Sequence, residues 1–186
     1  MNTRILFSIC FLLLNKYVCS QDIYALKSSK VHFYAGTPME DIEADNLKAS
    51  SFINLKTGDI LIAIPIKEFK FKSSLMEEHF NENYMESEKF PKGEFKGKIL
   101  EIEKYDFSQP AIYNVKLQGT LTIHGVAKST TIDATLSLID KKLTGDTKFT
   151  VRLADYNIQR PQLLWEKLSE TIEITSHFNY EVFNKK

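Results

Sequence analysis

From Ile60 onward the chain alternates apolar and polar residues with period two, the mark of strands that bury one face. Ile60, Ile62, Ile64 and Ile66 share a face. Val115, Leu117, Gly119, Leu121 and Ile123 share another, opposed by Asn114, Lys116, Gln118, Thr120 and Thr122. Ile132, Ala134, Leu136 and Leu138 repeat the pattern, then Phe149, Val151 and Leu153, and finally Ile172, Ile174, Ser176, Phe178, Tyr180 and Val182. Residues 30–35, 41–46, 51–55 and 95–102 read as further strands. Turn residues at Thr57-Gly58-Asp59, His124-Gly125 and Asp140-Lys141-Lys142 keep the connections short, so neighbouring strands pair antiparallel. About eight such strands close into a barrel or fold into a sandwich, and the alternation alone favours neither.

One segment breaks the rhythm. Ser74-Leu75-Met76-Glu77 fits a capping box, with Ser74 accepting from the backbone and Glu77 reaching back. Met76, Phe80 and Tyr84 then recur every four residues, and Glu78, Glu82 and Glu86 form a charged stripe. The spacing predicts an amphipathic helix of about three turns, ended before Pro91 and covering one face or end of the sheet.

The N-terminus sets the expected compartment. Arg4, the apolar run of residues 5–14, and Val18 and Ser20 at the −3 and −1 positions form the pattern of a secretory signal peptide, too short to span a bilayer. Cleavage near Ser20 leaves residues 21–186 as one domain, periplasmic or secreted. Cys10 and Cys19 leave with residues 1–20, so the mature chain has no thiol for a disulfide, a metal or a nucleophile. Arg4 and Lys16 leave too, and the balance of 24 basic and 24 acidic residues becomes a net charge of −2. Without a basic block, neither nucleic acid nor an anionic membrane surface is an expected partner. No second apolar segment is long enough to cross a membrane.

No nucleophile elbow, His-Glu-x-x-His helix, phosphate loop or dinucleotide fingerprint is present, so the chain reads as a non-enzyme with no catalytic or metal site. His79 stands among Glu77, Glu78 and Glu82, but on a helix it shares its face with Leu75 and Asn83. It is expected to hydrogen-bond a neighbouring loop or strand. His124 reads as structural in its turn, and His32 and His177, on polar parity, read as exposed.

Residues 75–97, LMEEHFNENYMESEKFPKGEFKG, resemble the signature region of the YceI-like family of exported bacterial proteins, in the form found in Bacteroidetes. Residues 121–132, LTIHGVAKSTTI, resemble that family's central hairpin, and residues 58–71, GDILIAIPIKEFKF, the strand before its helix. The chain departs from the pattern at Ala127, where a hydroxyl residue is usual, and at Gly93, where alanine is commoner. The resemblance implies an all-β fold: an extended, lipocalin-like, eight-stranded antiparallel barrel with one amphipathic helix between strands. It also implies a lumen that holds a long-chain isoprenoid or similar amphiphilic lipid.

An eight-stranded barrel is filled by side chains or holds one ligand. Gly97, Gly119, Ala134, Gly145 and Ser176 are small residues on inward parity. They either open a slot along the axis or mark bulges and bends, and the residues alone weigh the two equally. The resemblance favours the slot. Its expected lining is Phe33, Ile64, Phe80, Tyr84, Phe95, Leu117, Gly119, Leu121, Ala134, Leu136, Phe149, Val151 and Phe178. If the ligand has an anionic head, Arg160 or Arg152 is placed to pair with it and Trp165 to cap the mouth; surface salt bridging and local packing are the alternative. The partner is then a hydrophobic small molecule or lipid, an isoprenoid or a quinone, held without covalent attachment and without a further cofactor, by a monomer or homodimer. The alternative is a non-catalytic envelope docking or structural barrel with a filled core.

Overall fold

The parity read from the alternation is the parity the fold buries: Val115, Leu117, Leu121, Ile132, Leu136 and Leu138 are buried, and Lys116, Gln118 and Asp133 are exposed. The computed structural model describes residues 22–159 and 168–183. Within them run β1 (Ile23–Tyr34), β2 (Glu43–Asn46), β3 (Ser50–Asn54), β4 (Asp59–Pro65), β5 (Phe69–Phe71), α1 (Ser74–His79), β6 (Lys92–Ile99), β7 (Ala111–Ile123), β8 (Val126–Ile139), β9 (Lys142–Arg152) and β10 (Thr171–Val182). Every pairing is antiparallel, and β10 pairs with β1 from Tyr24↔Val182 to Tyr34↔Glu173. That pairing closes a ring of eight strands, β1-β3-β4-β6-β7-β8-β9-β10. The fold is the lipocalin-like barrel, not the sandwich.

The two shortest strands lie outside the ring and position the site. Strand β1 pairs with β3 through Ile23–Ala25 and with β2 through Val31–Tyr34. Residues 47–49 separate β2 from β3, and a 3-10 turn (Ile66–Glu68) separates β4 from β5. Two adjacent strands are therefore broken at one level by three residues each. Asn46, fully buried, joins the breaks: its Nδ2 donates to the Pro65 carbonyl (2.7 Å) and its Oδ1 accepts from the Lys48 N–H (2.8 Å). Below the break β4 stays paired with β6 as far as Pro65↔Lys92. Above it β5 pairs with β2 and has no strand on its other side among the described residues.

Helix α1 covers that edge. The Glu77 carboxylate accepts from the Phe71 N–H (3.4 Å) and from the Lys70 ammonium (2.7 Å). The expected capping box is not formed. Ser73 is the N-cap, no side chain caps the helix, and Glu77 is turned to the strand edge, which needs an acceptor more than a solvated helix end does. The α-helical part is also shorter than the periodicity predicts. It ends at His79 and continues as a π-helical turn, Phe80–Tyr84, closed by the Met85 N–H on the Phe80 carbonyl (2.9 Å). Strand β6 likewise stops at Ile99, and Ile102 begins a 3-10 turn.

Of the small inward residues, Gly97, Gly119 and Gly145 do not open the barrel. Gly97 and Gly119 face each other in unbroken register between β6 and β7, so neither is a bulge. A Cβ on Gly119 would collide with the Lys96 carbonyl oxygen and the Gly97 Cα, which makes this a place where two backbones come too close for any side chain. Above Gly145 the space is taken by Leu136 and Tyr180, 3.3 and 3.6 Å from where a Cβ would stand. Around Ile53 and Leu143, both without exposure, one half of the interior is packed solid. There Tyr180 Oη and Ser51 Oγ share a hydrogen bond of 2.9 Å, and burial pushes the Tyr180 hydroxyl up to about 12, with the Ser51 bond partly offsetting it.

Two outcomes test this packing. Up to the ordinary tyrosine value of 10.0 the raised Tyr180 costs nothing; above it the unfolded chain ionises first, so stability falls as the pH climbs toward about 12. Urea titrations across that window should show Tyr180→Phe losing about 3 kcal/mol less than the wild type. Asn46→Ala leaves the Pro65 carbonyl and the Lys48 N–H without their partner, and should lower the unfolding free energy by about 2 kcal/mol at neutral pH.

Candidate functional site

The other half of the interior is hollow. A cavity of about 500 Å³ runs between the ring strands, β5 and α1. Its floor lies at one level on strand after strand. On β10, Ile172, Ile174, Ser176 and Phe178 line it and Tyr180 does not; on β9, Val151, Phe149 and Thr147 do and Gly145 does not. On β8 the lining stops at Ile132 before Ala134, on β7 at Leu117 before Val115, on β6 at Phe95 before Gly97, on β4 at Ile62 before Ile60, and on β1 at Val31 before Ser29. Near the open end Ile64, Phe149, Val151 and Ile174 point inward and line the cavity, yet are only half-buried. Leu75 and His79 of α1 line the cavity and are exposed, so it reaches the surface beside the helix.

Four rings fix the helix over this space. Phe80 of the π-helical turn stacks on Phe33 (5.4 Å between centroids, 19° between planes) and meets Phe69 at 5.6 Å and Phe71 at 5.0 Å. Phe33 is 5.3 Å from Phe69 and 5.6 Å from Phe71. Such contacts add to burial roughly 1 kcal/mol per pair. The π geometry adds a residue to the turn, and Met76, Phe80 and Tyr84 all still face the cavity. Burial raises the Tyr84 hydroxyl above its ordinary value. Past the turn, the His124 ring stands with Nε2 2.8 Å from the Glu86 carboxylate and Nδ1 3.2 Å from the Tyr156 carbonyl, linking the helical segment to the β7–β8 hairpin.

Of the lining expected from sequence, Phe33, Ile64, Phe80, Tyr84, Phe95, Leu117, Leu121, Phe149, Val151 and Phe178 come together around the cavity. Gly119, Ala134 and Leu136 do not. Gly119 is closed off by the neighbouring backbone, Ala134 sits one step below the floor, and Leu136 fills the space over Gly145. Arg160, Trp165 and the signal segment lie outside the described residues. Sequence reasoning missed Phe69 and Phe71, whose Phe-Lys-Phe alternation carries the inward signal across the strand break, and Ile174, on the same parity as Phe178. His79 is exposed, and its ring makes no hydrogen bond among the described residues, contrary to expectation. His32 is also misjudged: it is half-buried, 2.8 Å from Asp45.

His32 belongs to a second concavity, of about 780 Å³, on the outside of β1 and β7–β10. Its charges are paired across the strands: Lys116 with Asp133 (2.6 Å), His177 with Asp146 (2.6 Å), Lys148 with Glu173 (2.9 Å) and Lys30 with Asp45 (3.0 Å). Burial alone would raise the Asp45 carboxyl, but the hydrogen bonds from Lys30 and His32 outweigh it and hold the group below its usual range. A groove whose charges already satisfy one another offers a ligand little, whereas the inner cavity offers apolar surface.

Comparison with known proteins agrees with this architecture. The family model of the YceI-like domain matches residues 26–180. The chain belongs to the YceI-like family. Among solved structures, this YceI-like barrel is similar to a polyisoprenoid binding domain from Saccharophagus degradans, with a TM-score of 0.74 and 13% identity over 86% of this chain and 98% of that one. It is also similar to BcnA of Burkholderia cenocepacia (TM-score 0.68, 18% identity, 81% and 95% covered). A YceI protein of Campylobacter jejuni aligns with a TM-score of 0.53 and 15% identity over 99% and 94%. No curated protein matches the chain. No helix among the described residues is long and apolar enough to cross a membrane.

The hold of α1 on β5 gives the YceI-like barrel a pH-sensitive edge. The Lys70 hydrogen bond, helped by the Phe71 N–H, holds the Glu77 carboxyl below its ordinary 4.5 despite burial. A depressed carboxylate stabilises the fold above the ordinary value and stops doing so as the pH falls through the lowered one. Hydrogen-exchange protection of residues 76–84 should therefore drop in acid in the wild type. In Glu77→Gln it should be low already at neutral pH.

Proposed function

We propose that this chain is a binding protein that holds the apolar tail of a long-chain isoprenoid or similar amphiphilic lipid in its lumen. It acts as a carrier or reservoir, in the periplasm or outside the cell after loss of residues 1–20. The observation that carries this reading is the cavity of about 500 Å³, bounded below by a level floor and reaching the surface beside α1. Its volume is that of ligand sites in general, and its walls are almost wholly aliphatic and aromatic. Each methylene moved into it from water gains about 0.8 kcal/mol, so ten offset about 8 kcal/mol of association cost. The solved S. degradans structure, described as a polyisoprenoid binding domain, supports the same ligand class. The described lining is dominated by aliphatic and aromatic side chains, which supports a binding reading.

Solvent extraction of the protein purified from its native envelope, followed by mass spectrometry, should release a long-chain lipid in near-stoichiometric amount. An empty protein that also takes up no isoprenoid alcohol from detergent or vesicles would refute the reading.

A further inference from the structure

Two hydroxyls stand together in the floor of an otherwise apolar space. Thr147 is the last residue of β9 to line the cavity, and its partner in register on β10 is Ser176, one inward step above Phe178. Both are half-buried, on the inward parity of their strands, with Phe149 and Ile174 next above them. Their flanks are hydrocarbon as well: Ala134 of β8 pairs with Thr147, and Val31 of β1 with Ser176. The other polar side chains of the described lining lie elsewhere. Ser73, His79 and Tyr84 belong to the helical segment, Glu40 precedes β2, and Glu94 is ion-paired with Lys92 (2.8 Å).

Thr147 Oγ1 and Ser176 Oγ share a hydrogen bond of 2.7 Å, and among the described residues neither hydroxyl has another. Two hydroxyls carry two protons, and the bond between them uses one. The pair keeps one O–H to donate and lone pairs to accept. A ligand that fills the floor with hydrocarbon denies that O–H any partner, which is destabilising in apolar surroundings. A ligand that brings an oxygen there supplies one. We propose that Thr147 and Ser176 are a polar anchor for an uncharged oxygen of the ligand, a carbonyl or an alcohol. The amphiphile then enters head first, and its tail runs back toward the opening beside α1. This rests on the lipid-binding reading and adds head chemistry and orientation to it. A phosphate head does not fit the anchor. The described floor offers it one neutral donor and no cation, and a charge taken that deep without a counter-charge is strongly disfavoured.

The test uses one linear terpenoid chain ending in a methyl ketone, in plain hydrocarbon or in a phosphate. Binding is read by displacement of diphenylhexatriene from the whole protein and from the double variant Thr147→Val, Ser176→Ala, which removes both hydroxyls and keeps the wall apolar. The ketone should bind the variant about fivefold more weakly. The hydrocarbon should bind it no more weakly than the wild type, and the phosphate should be the poorer of the two headed ligands in the wild type. Infrared spectra should show the ketone carbonyl band at lower frequency in the wild-type complex than in alkane solvent. A pair that serves only to tie β9 to β10 would leave the band at its alkane position and weaken all three ligands alike in the variant. Either result overturns the anchor, as does a ketone affinity untouched by the substitutions or a phosphate bound more tightly than the ketone. Lipid binding survives each of these, whereas a protein that takes up none of the three ligands overturns both.

Discussion

Burying the Asn46 amide is tolerable because its nitrogen donates to the Pro65 carbonyl and its oxygen accepts from the Lys48 N–H. Those two bonds keep the interruption between β2 and β3 level with the one between β4 and β5. With the interruptions in step, β5 follows β2 and leaves β6, and the wall opens on one side only. An open edge needs acceptors for its N–H groups and cover for its apolar face. Glu77 supplies the first and Phe80 the second. The hollow therefore begins where two strands lose pairing together, and the helix is its lid by necessity of hydrogen bonding as much as of packing.

Below that level the same alternation of side chains gives a conventional core. The contrast between the halves owes nothing to hydrophobicity, since both are lined by Ile, Leu, Val and Phe. It comes from what faces what. In the filled half Leu136 and Tyr180 lean over Gly145, and β6 and β7 approach until Gly97 and Gly119 nearly touch. In the hollow half the wall beside Ile64 is β5 and the helical segment, and Ile64, Phe149 and Val151 face the cavity between them.

The ring of strands was legible because parity is local: Leu117, Ile132, Phe149 and Phe178 announce their direction from their own neighbours. The helix was legible through Met76, Phe80 and Tyr84, though not its π turn, which depends on docking against Phe33 and β5. Level and depth were not legible. Ala134 and Leu136 share the inward parity of Ile132, and nothing in a periodic pattern says that the void ends between Ile132 and Ala134. Small residues were a misleading guide for the same reason, because a glycine frees space only if its neighbours decline to use it. Asn46 gave no warning either. An asparagine at the end of a strand usually turns to solvent, and its burial follows from a contact with Pro65, 19 positions later.

The packed half has a bearing on how the protein is made. A barrel hollow throughout would depend on its cargo to complete a core, and its folding would wait on supply. Here Ile53, Leu143 and Tyr180 give the chain a foundation that owes nothing to any guest. On the binding reading proposed above, a guest would add to that stability by mass action. On that reading, the concentration of the guest alone would set how far the lumen is filled, because the foundation stands apart from it.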